Sequence, residues 1–258
     1  MPTEAVTHYI DAAQLTLLTF WLFFFSLVFW IRREDKREGY PLEAKTLNGG
    51  TKLNPGFPPM PKPKTFTMPH TGTKVVKPGP DQPQYKVNAE PTSPFPGAPL
   101  VPVGDPMKAN VGPGSYAMRL EEPDLTVDGR PRIVPMTVAK HFEVVGKDPD
   151  PRGMPVRGCD GAQGGTVKEL WVDRSEPQIR YLEVEAAGGK RVLLPITMCV
   201  VKGKKGYVDV NSITGAQFAG APTLKSKDQI TMREEDMVTA YYGAGTMYAT
   251  AGRAEPLL

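Results

Sequence analysis

Residues 12–31, AAQLTLLTFWLFFFSLVFWI, are twenty consecutive residues without a charge, and the run closes abruptly on RREDKR. At about 1.5 Å per residue, a helix of this length spans about 30 Å, the hydrocarbon thickness of a bilayer. Nothing else in the 258-residue chain resembles it. The chain is therefore expected to be tethered by one helix, with nearly all of its mass on one side of a membrane. A secretory signal would start with a basic region and end in small residues. Here Glu4 and Asp11 precede the run, and bulky Phe29, Trp30 and Ile31 close it, so a cleaved leader fits poorly.

Basic residues set the expected orientation. Residues 1–31 contain no Lys or Arg, whereas Arg32, Arg33, Lys36 and Arg37 follow at once. An excess of basic residues marks the cytoplasmic flank, so the C-terminal side is expected in the cytoplasm. Tyr9 and Trp30 fall near the two ends, where amphipathic rings favour the interface, and Arg32 and Arg33 could hold anionic headgroups there. Thr16, Thr19, Phe23 and Ser26 share one face at three-four spacing. Small and hydroxyl-bearing side chains allow a second helix to approach, so this stripe is expected to pack on a helical partner. The alternative is that the helix's own carbonyls satisfy these hydroxyls.

Composition divides the remainder. Residues 41–106 hold sixteen of the 28 prolines, and proline removes a backbone donor, so neither a helix nor a central strand can run through them. Phe57, Phe66, Val75, Tyr85, Phe95 and Leu100 recur along this stretch, too apolar for a disordered tail. Residues 32–131 are read as an extended segment lying on another protein surface, with a free flexible spacer as the alternative. From residue 132 the pattern changes to short β runs: RIVPMTV, HFEVV, MPVRG, TVKELWVD, IRYLEVEA, KRVLLPITM, CVVKG and GYVDV. Turn-forming DPDPRG, DGAQGG, RSEP, AAGG and KGKK separate them. Many short strands at close spacing predict an antiparallel barrel or sandwich over 132–258. A short helical turn is expected near Ala216–Phe218. Thr231 with Glu234 forms a capping box that starts a C-terminal helix, which Gly243 and Gly245 should weaken.

Familiar chemistry is absent from this pattern. A net charge of +3 is too mild for a nucleic-acid footprint. Cys159 and Cys199 stand forty residues apart, and His8, His70 and His141 lack the spacing of a metal site. There is no P-loop, no G-x-G-x-x-G after a strand and no G-x-S-x-G, and GAGT at 243–246 lacks strand context. Nothing marks the chain as an enzyme. The hairpin WVDRSEPQIRYLEVE at 171–185 is different. Strand alternation places Leu182 and Val184 on one face, and Tyr181, Glu183 and Glu185 on the other. Arg180 falls in phase with the apolar face and must find an anion, with Asp173 and Glu176 the nearest candidates. One reading is an ordinary hairpin whose surface ion pairs are worth under about 1 kcal/mol. The other is a carboxylate cluster whose protonation is coupled to charge elsewhere in an assembly.

Taken together, RREDKREGYPLE after the apolar run, PKPKTFTMPH, GDPM and VGPGSYA, RIVPM, DPRGMPV, ELWVDRSEPQIRYLEVE, LLPI, DQITMREED and AYYGAGTMYA resemble the H subunit of the photosynthetic reaction centre of purple bacteria. The match runs nearly end to end and is vaguest over 43–56 and 84–96. It implies a single span with residues 1–11 in the periplasm, the bulk in the cytoplasm of a bacterial inner membrane, and an antiparallel β core of the PRC-barrel type. It further implies that the chain binds no pigment itself. Bacteriochlorophyll, bacteriopheophytin, quinones and non-haem iron belong to the L and M subunits, whose cytoplasmic face the chain would cap. A core light-harvesting ring and a cytochrome subunit are further implied neighbours. In such a complex the chain stabilises the secondary quinone site and helps protons reach the reduced quinone. By the same resemblance Glu176 matches the proton-transfer glutamate, Asp173 and Arg180 its charged neighbours, and Glu235 and Asp236 further acids on the C-terminal helix. Some members carry two surface histidines just before the block that reads RIVPM here. This chain has LTVDGRPRI instead, leaving Asp128 as the candidate uptake carboxylate. The rival reading is a membrane-anchored β-barrel adaptor unrelated to photosynthesis, because fold alone does not fix function.

Overall fold

A computed structural model describes residues 11–46, 50–79 and 87–254. The uncharged run forms helix α1 (Ala12–Glu34), which one further tight turn extends to Arg37. Asp11 caps it: the Gln14 N–H donates to Asp11 Oδ1 at 2.7 Å, and Gln14 Oε1 accepts from the Asp11 N–H at 3.3 Å. All side chains from Ala12 to Arg32 are exposed, so this apolar surface has no cover among the described residues. Thr16, Thr19 and Ser26 donate to the carbonyls of Ala12, Leu15 and Leu22 at 2.7–2.8 Å. Their hydroxyls are thus satisfied inside the helix. What the stripe offers a neighbour is small size, not free donors.

The chain divides into two compact units, one of Met1–Tyr85 with Phe95–Gly97 and the other of Lys86–Pro94 with Ala98–Leu258. The main division therefore falls near residue 85, ahead of the composition change at 132. In the first unit the proline-rich chain makes only two-stranded ribbons, β1 (Leu42–Lys45) with β2 (Thr51–Asn54) and β3 (Lys64–Thr67) with β4 (Lys74–Lys77). Two basic residues at the foot of α1 bind this segment. Lys36 is buried, and its ammonium donates to the carbonyls of Pro55 and Pro58 with the Tyr40 ring 5.3 Å away. Arg37 donates to the Lys62 and Lys77 carbonyls at 2.9 Å and to Glu34 at 2.7 Å. Because proline-rich chain has few N–H groups to pair its carbonyls, these cations take their place.

In the second unit β5 (Ala89–Pro91) and β6 (Leu100–Pro102) form another ribbon, and seven strands make the main sheet. These are β7 (Ile133–Pro135), β8 (Pro155–Arg157), β9 (Gln163–Asp173), β10 (Gln178–Glu185), β11 (Arg191–Pro195), β12 (Cys199–Lys202) and β13 (Tyr207–Val210). The order is β11-β10-β9-β8-β13-β12, antiparallel except for β8 with β13. The eleven-residue β9 carries β10 along one edge, with β8 and then β7 in series along the other. No ladder joins β11 to β12, so the hydrogen-bonded path stays open. Trp171, Leu170, Leu182, Leu194, Phe218 and Tyr242 lie fully buried at the centre of the core.

Two expected strands change. RIVPMTV pairs only over Ile133–Pro135, because Val138 N–H turns back to the Pro135 carbonyl. HFEVV is not a strand; a turn closes it through Asp148 N–H and the Val145 carbonyl, and Phe142 and Val144 pack on the core from coil. KGKK forms the expected exposed turn between β12 and β13. Cys159 lies in a turn, and Cys199 opens β12, where burial pushes its thiol up to about 12.

Helix α2 (Met232–Tyr248) starts at the expected capping box. The Glu234 N–H donates to Thr231 Oγ1 at 3.2 Å, and the Thr231 N–H donates to Glu234 Oε2 at 2.9 Å. The helix continues through Gly243 and Gly245 instead of weakening there. A Cβ on Gly243 would lie 2.5 Å from the Pro113 carbonyl oxygen, and one on Gly245 2.5 Å from Ile213 Cγ2 and against the Ser212 carbonyl. These glycines let backbone segments touch, and the contact outweighs their helix-propensity cost of about 1 kcal/mol each. Gly245→Ala is accordingly expected to destabilise the protein by about 2 kcal/mol, although alanine is the better helix former. A thermal midpoint at or above that of the parent chain would contradict this packing.

Candidate functional site

The candidate cluster assembles where β7 meets the end of β9. Register places Ile133 opposite Asp173, and beyond it the Arg174 N–H donates to the Arg132 carbonyl at 2.9 Å. Arg132 thereby arrives beside Asp173 from 41 residues away. Its Nε lies 3.0 and 2.9 Å from the two carboxylate oxygens, and its Nη2 is 2.9 Å from Oδ2. The same guanidinium reaches Asp124 at 3.2 Å through Nη1 and Glu176 at 3.2 Å through Nη2. One arginine thus joins three carboxylates.

Asp173 is fully buried. Burial pushes its carboxyl up, but the Arg132 hydrogen bonds and the Glu176 and Ser175 N–H groups outweigh that and hold it below the usual range. Those amides donate to Asp173 Oδ1 at 3.0 and 2.9 Å, an Asx turn that shapes the tip of the hairpin. The Arg132 guanidinium is in turn held protonated, chiefly by its hydrogen bonds to Asp173. Glu176 has 65% of its side chain exposed. It is the outward end of the network, open to solvent.

Arg180 does not serve as partner to Asp173 or Glu176. Between Ile179, opposite Val172, and Tyr181, opposite Trp171, the β9–β10 register shifts by one residue at Arg180. That bulge breaks simple alternation ahead of Tyr181, which is 4% exposed with its hydroxyl toward Glu235 of α2. The charge of Arg180 acts instead on Tyr181 and Glu235. The Tyr181 hydroxyl lies 3.4 Å from Glu235 Oε2, and desolvation raises the Glu235 carboxyl above its ordinary range. Arg180, the Tyr181 hydrogen bond and Arg119 oppose the rise, while Asp124 adds to it. Asp236 sits 3.5 Å from Arg119. Asp128 is not in the cluster; it lies on the exposed tip of the hairpin over 124–132 and pairs with Arg130 at 3.0 Å.

Sequence reading missed Arg132 and Asp124. Arg132 opens the RIVPM block and Asp124 lies eight residues earlier, but only strand register brings either to Asp173. Trp30, Arg32 and Arg33 lie at the end of α1 in the first unit, with Arg32 3.6 Å from Asp35. Tyr9 and His8 lie outside the described residues. Among the described residues no group of three or more His, Cys, Asp or Glu is placed to hold a metal ion.

One apolar helix of 26 residues, long enough to cross a membrane, a mainly β domain bearing a carboxylate–arginine network and a capped C-terminal helix fit a single-pass membrane protein. Residues 4–138 match the family model of the photosynthetic reaction centre H-chain N-terminal region, and residues 143–217 match the PRC-barrel domain. The first match alone covers more than half of the chain. The protein belongs to the photosynthetic reaction centre H-chain family. Such a chain is a structural subunit that associates with the L and M subunits.

Two expectations follow from the opposed carboxyl shifts. Asp173 has a folded pKa below its unfolded one, so its contribution is present above the ordinary carboxylate range and vanishes as pH falls through the lower folded value. Asp173→Asn removes the buried partner of Arg132 and should cost about 3 kcal/mol at neutral pH in urea unfolding, with the difference closing as the pH falls through the lower folded value. A penalty independent of pH would show that the ion pair is not its source. For Glu235 the sign is reversed. Its raised folded pKa makes ionisation costly at high pH, and that cost disappears below the ordinary carboxylate range. Glu235→Gln keeps an acceptor for Tyr181 and is expected to melt above the parent at about pH 8 and level with it near about pH 4. Equal melting temperatures at both would refute the desolvation account.

Proposed function

We propose that this chain caps the cytoplasmic face of the L and M subunits, stabilises the secondary quinone site and supplies part of the path by which protons reach that quinone. The observation that carries this reading is the run of acids from exposed Glu176, through Arg132 and Asp124, to half-buried Glu235. Glu176 takes protons from water at its exposed carboxylate. Arg132 holds Asp173 ionised and the hairpin tip rigid, so Glu176 keeps its position. Glu235 has the raised proton affinity suited to holding a proton inside, and negative charge arriving in a neighbouring site would raise it further. Asp236 is a further acid on the same helix, and Asp128, away from the network, is assigned at most a role in collecting protons at the surface.

The basic flank of α1 supports placing the β domain in the cytoplasm and residues 1–11 in the periplasm. The Thr16, Thr19 and Ser26 stripe is assigned to packing on a helix of the partner subunits, with Trp30, Arg32 and Arg33 at the inner interface. Bacteriochlorophyll, bacteriopheophytin, quinones and iron are assigned to L and M.

Glu176→Gln should slow the proton-coupled second electron transfer by on the order of tenfold or more while leaving initial charge separation unchanged, since general acid–base groups typically contribute about 10²–10⁴. Flash absorbance on the intact complex reads both steps. Second-transfer kinetics equal to the parent's would remove Glu176 from the proton path.

A further inference from the structure

Two guanidinia around the hairpin are left without an ion pair among the described residues, and one of them, Arg180, acts on Tyr181 and Glu235. Arg132 engages Asp124, Asp173 and Glu176, and Arg130 engages Asp128. Arg174, immediately after Asp173, forms no ion pair among the described residues. Its backbone N–H is bound to the Arg132 carbonyl, at the end of the hairpin over 124–132 whose turn carries Arg130. Its Nε is buried and makes no hydrogen bond. Burial, and after it the charge of Arg130, lowers the proton affinity of Arg174. A partly desolvated cation beside a second cation is unfavourable unless an anion meets it.

Two sources of anion are physically distinct. The outer side of this patch is open, with the Arg130 and Asp128 side chains 64% and 63% exposed. A small free oxyanion there competes with water and salt, and exposed pairs are worth about 1 kcal/mol or less. A carboxylate carried on a docked protein surface excludes that water, which is the setting where arginine contributes most to interfaces. We propose that Arg174, with Arg130 alongside, receives a carboxylate from the surface of the L or M subunit and anchors the β domain electrostatically beside the Glu176 turn. The inference rests on the reading that this domain docks on L and M. It adds a charged contact whose function is attachment, separate from proton movement.

The test uses the intact pigment-bearing complex, titrating salt in mild detergent and measuring how much of this chain stays bound. Arg174→Gln is expected to weaken retention by on the order of tenfold or more, shifting release to lower salt. Arg174→Lys retains the charge and should recover most of the loss. Equal loss in both variants, or release by Arg174→Gln at the parent's salt concentration, overturns the anchor. At matched ionic strength phosphate should release the parent chain no better than chloride. Selective release by phosphate would identify a free oxyanion as the occupant and also overturn the proposal. A chain that never co-isolates with pigmented subunits overturns both this contact and the docking reading. Normal co-isolation with unaltered Arg174→Gln release overturns the contact alone.

Discussion

Arg132 and Asp173 hold together the part of the molecule on which the rest of the site depends. A buried carboxylate is tolerable only if its charge is matched and its lone pairs are filled. Here a guanidinium fork and two backbone amides do both. The same pair joins β7 to the end of β9, orders the tip carrying Glu176 and brings Asp124 within reach. Its value lies in geometry as much as in stability, because replacing a buried ion pair with apolar residues is often nearly neutral. An apolar substitute would leave Glu176 on an unshaped turn.

Desolvation separates the acids into two kinds. Asp173 is buried with hydrogen-bond donors and stays ionised, whereas Glu235 is buried with weaker compensation and gains proton affinity. Carboxyl groups of one chemistry thereby occupy different positions on a protonation scale within one sheet-and-helix corner. A path for protons needs such a difference, with an exposed group in contact with water and an inner group that binds more tightly. The opposite solution appears at the foot of α1. There Lys36 is buried against carbonyl oxygens and an aromatic face, with no carboxylate among its hydrogen-bond partners.

The sequence by itself determined what depends on local pattern. Twenty uncharged residues give an apolar helix of membrane-spanning length, prolines forbid a central strand, and Thr231 with Glu234 starts α2, because each follows from neighbours along the chain. Asp173 and Glu176 were legible as a cluster since both lie in one hairpin. Tertiary structure decided what depends on register. Arg132, not Arg180, is the partner of Asp173: the β9–β10 register slips by one residue at Arg180, while pairing of β7 with β9 delivered Arg132 from 41 residues away. It also decided that HFEVV packs without pairing and that Gly243 and Gly245 lie inside a continuous helix. The apolar run announces a tether through its composition alone, but which charges meet at the working corner depends on a strand offset that no local spacing encodes.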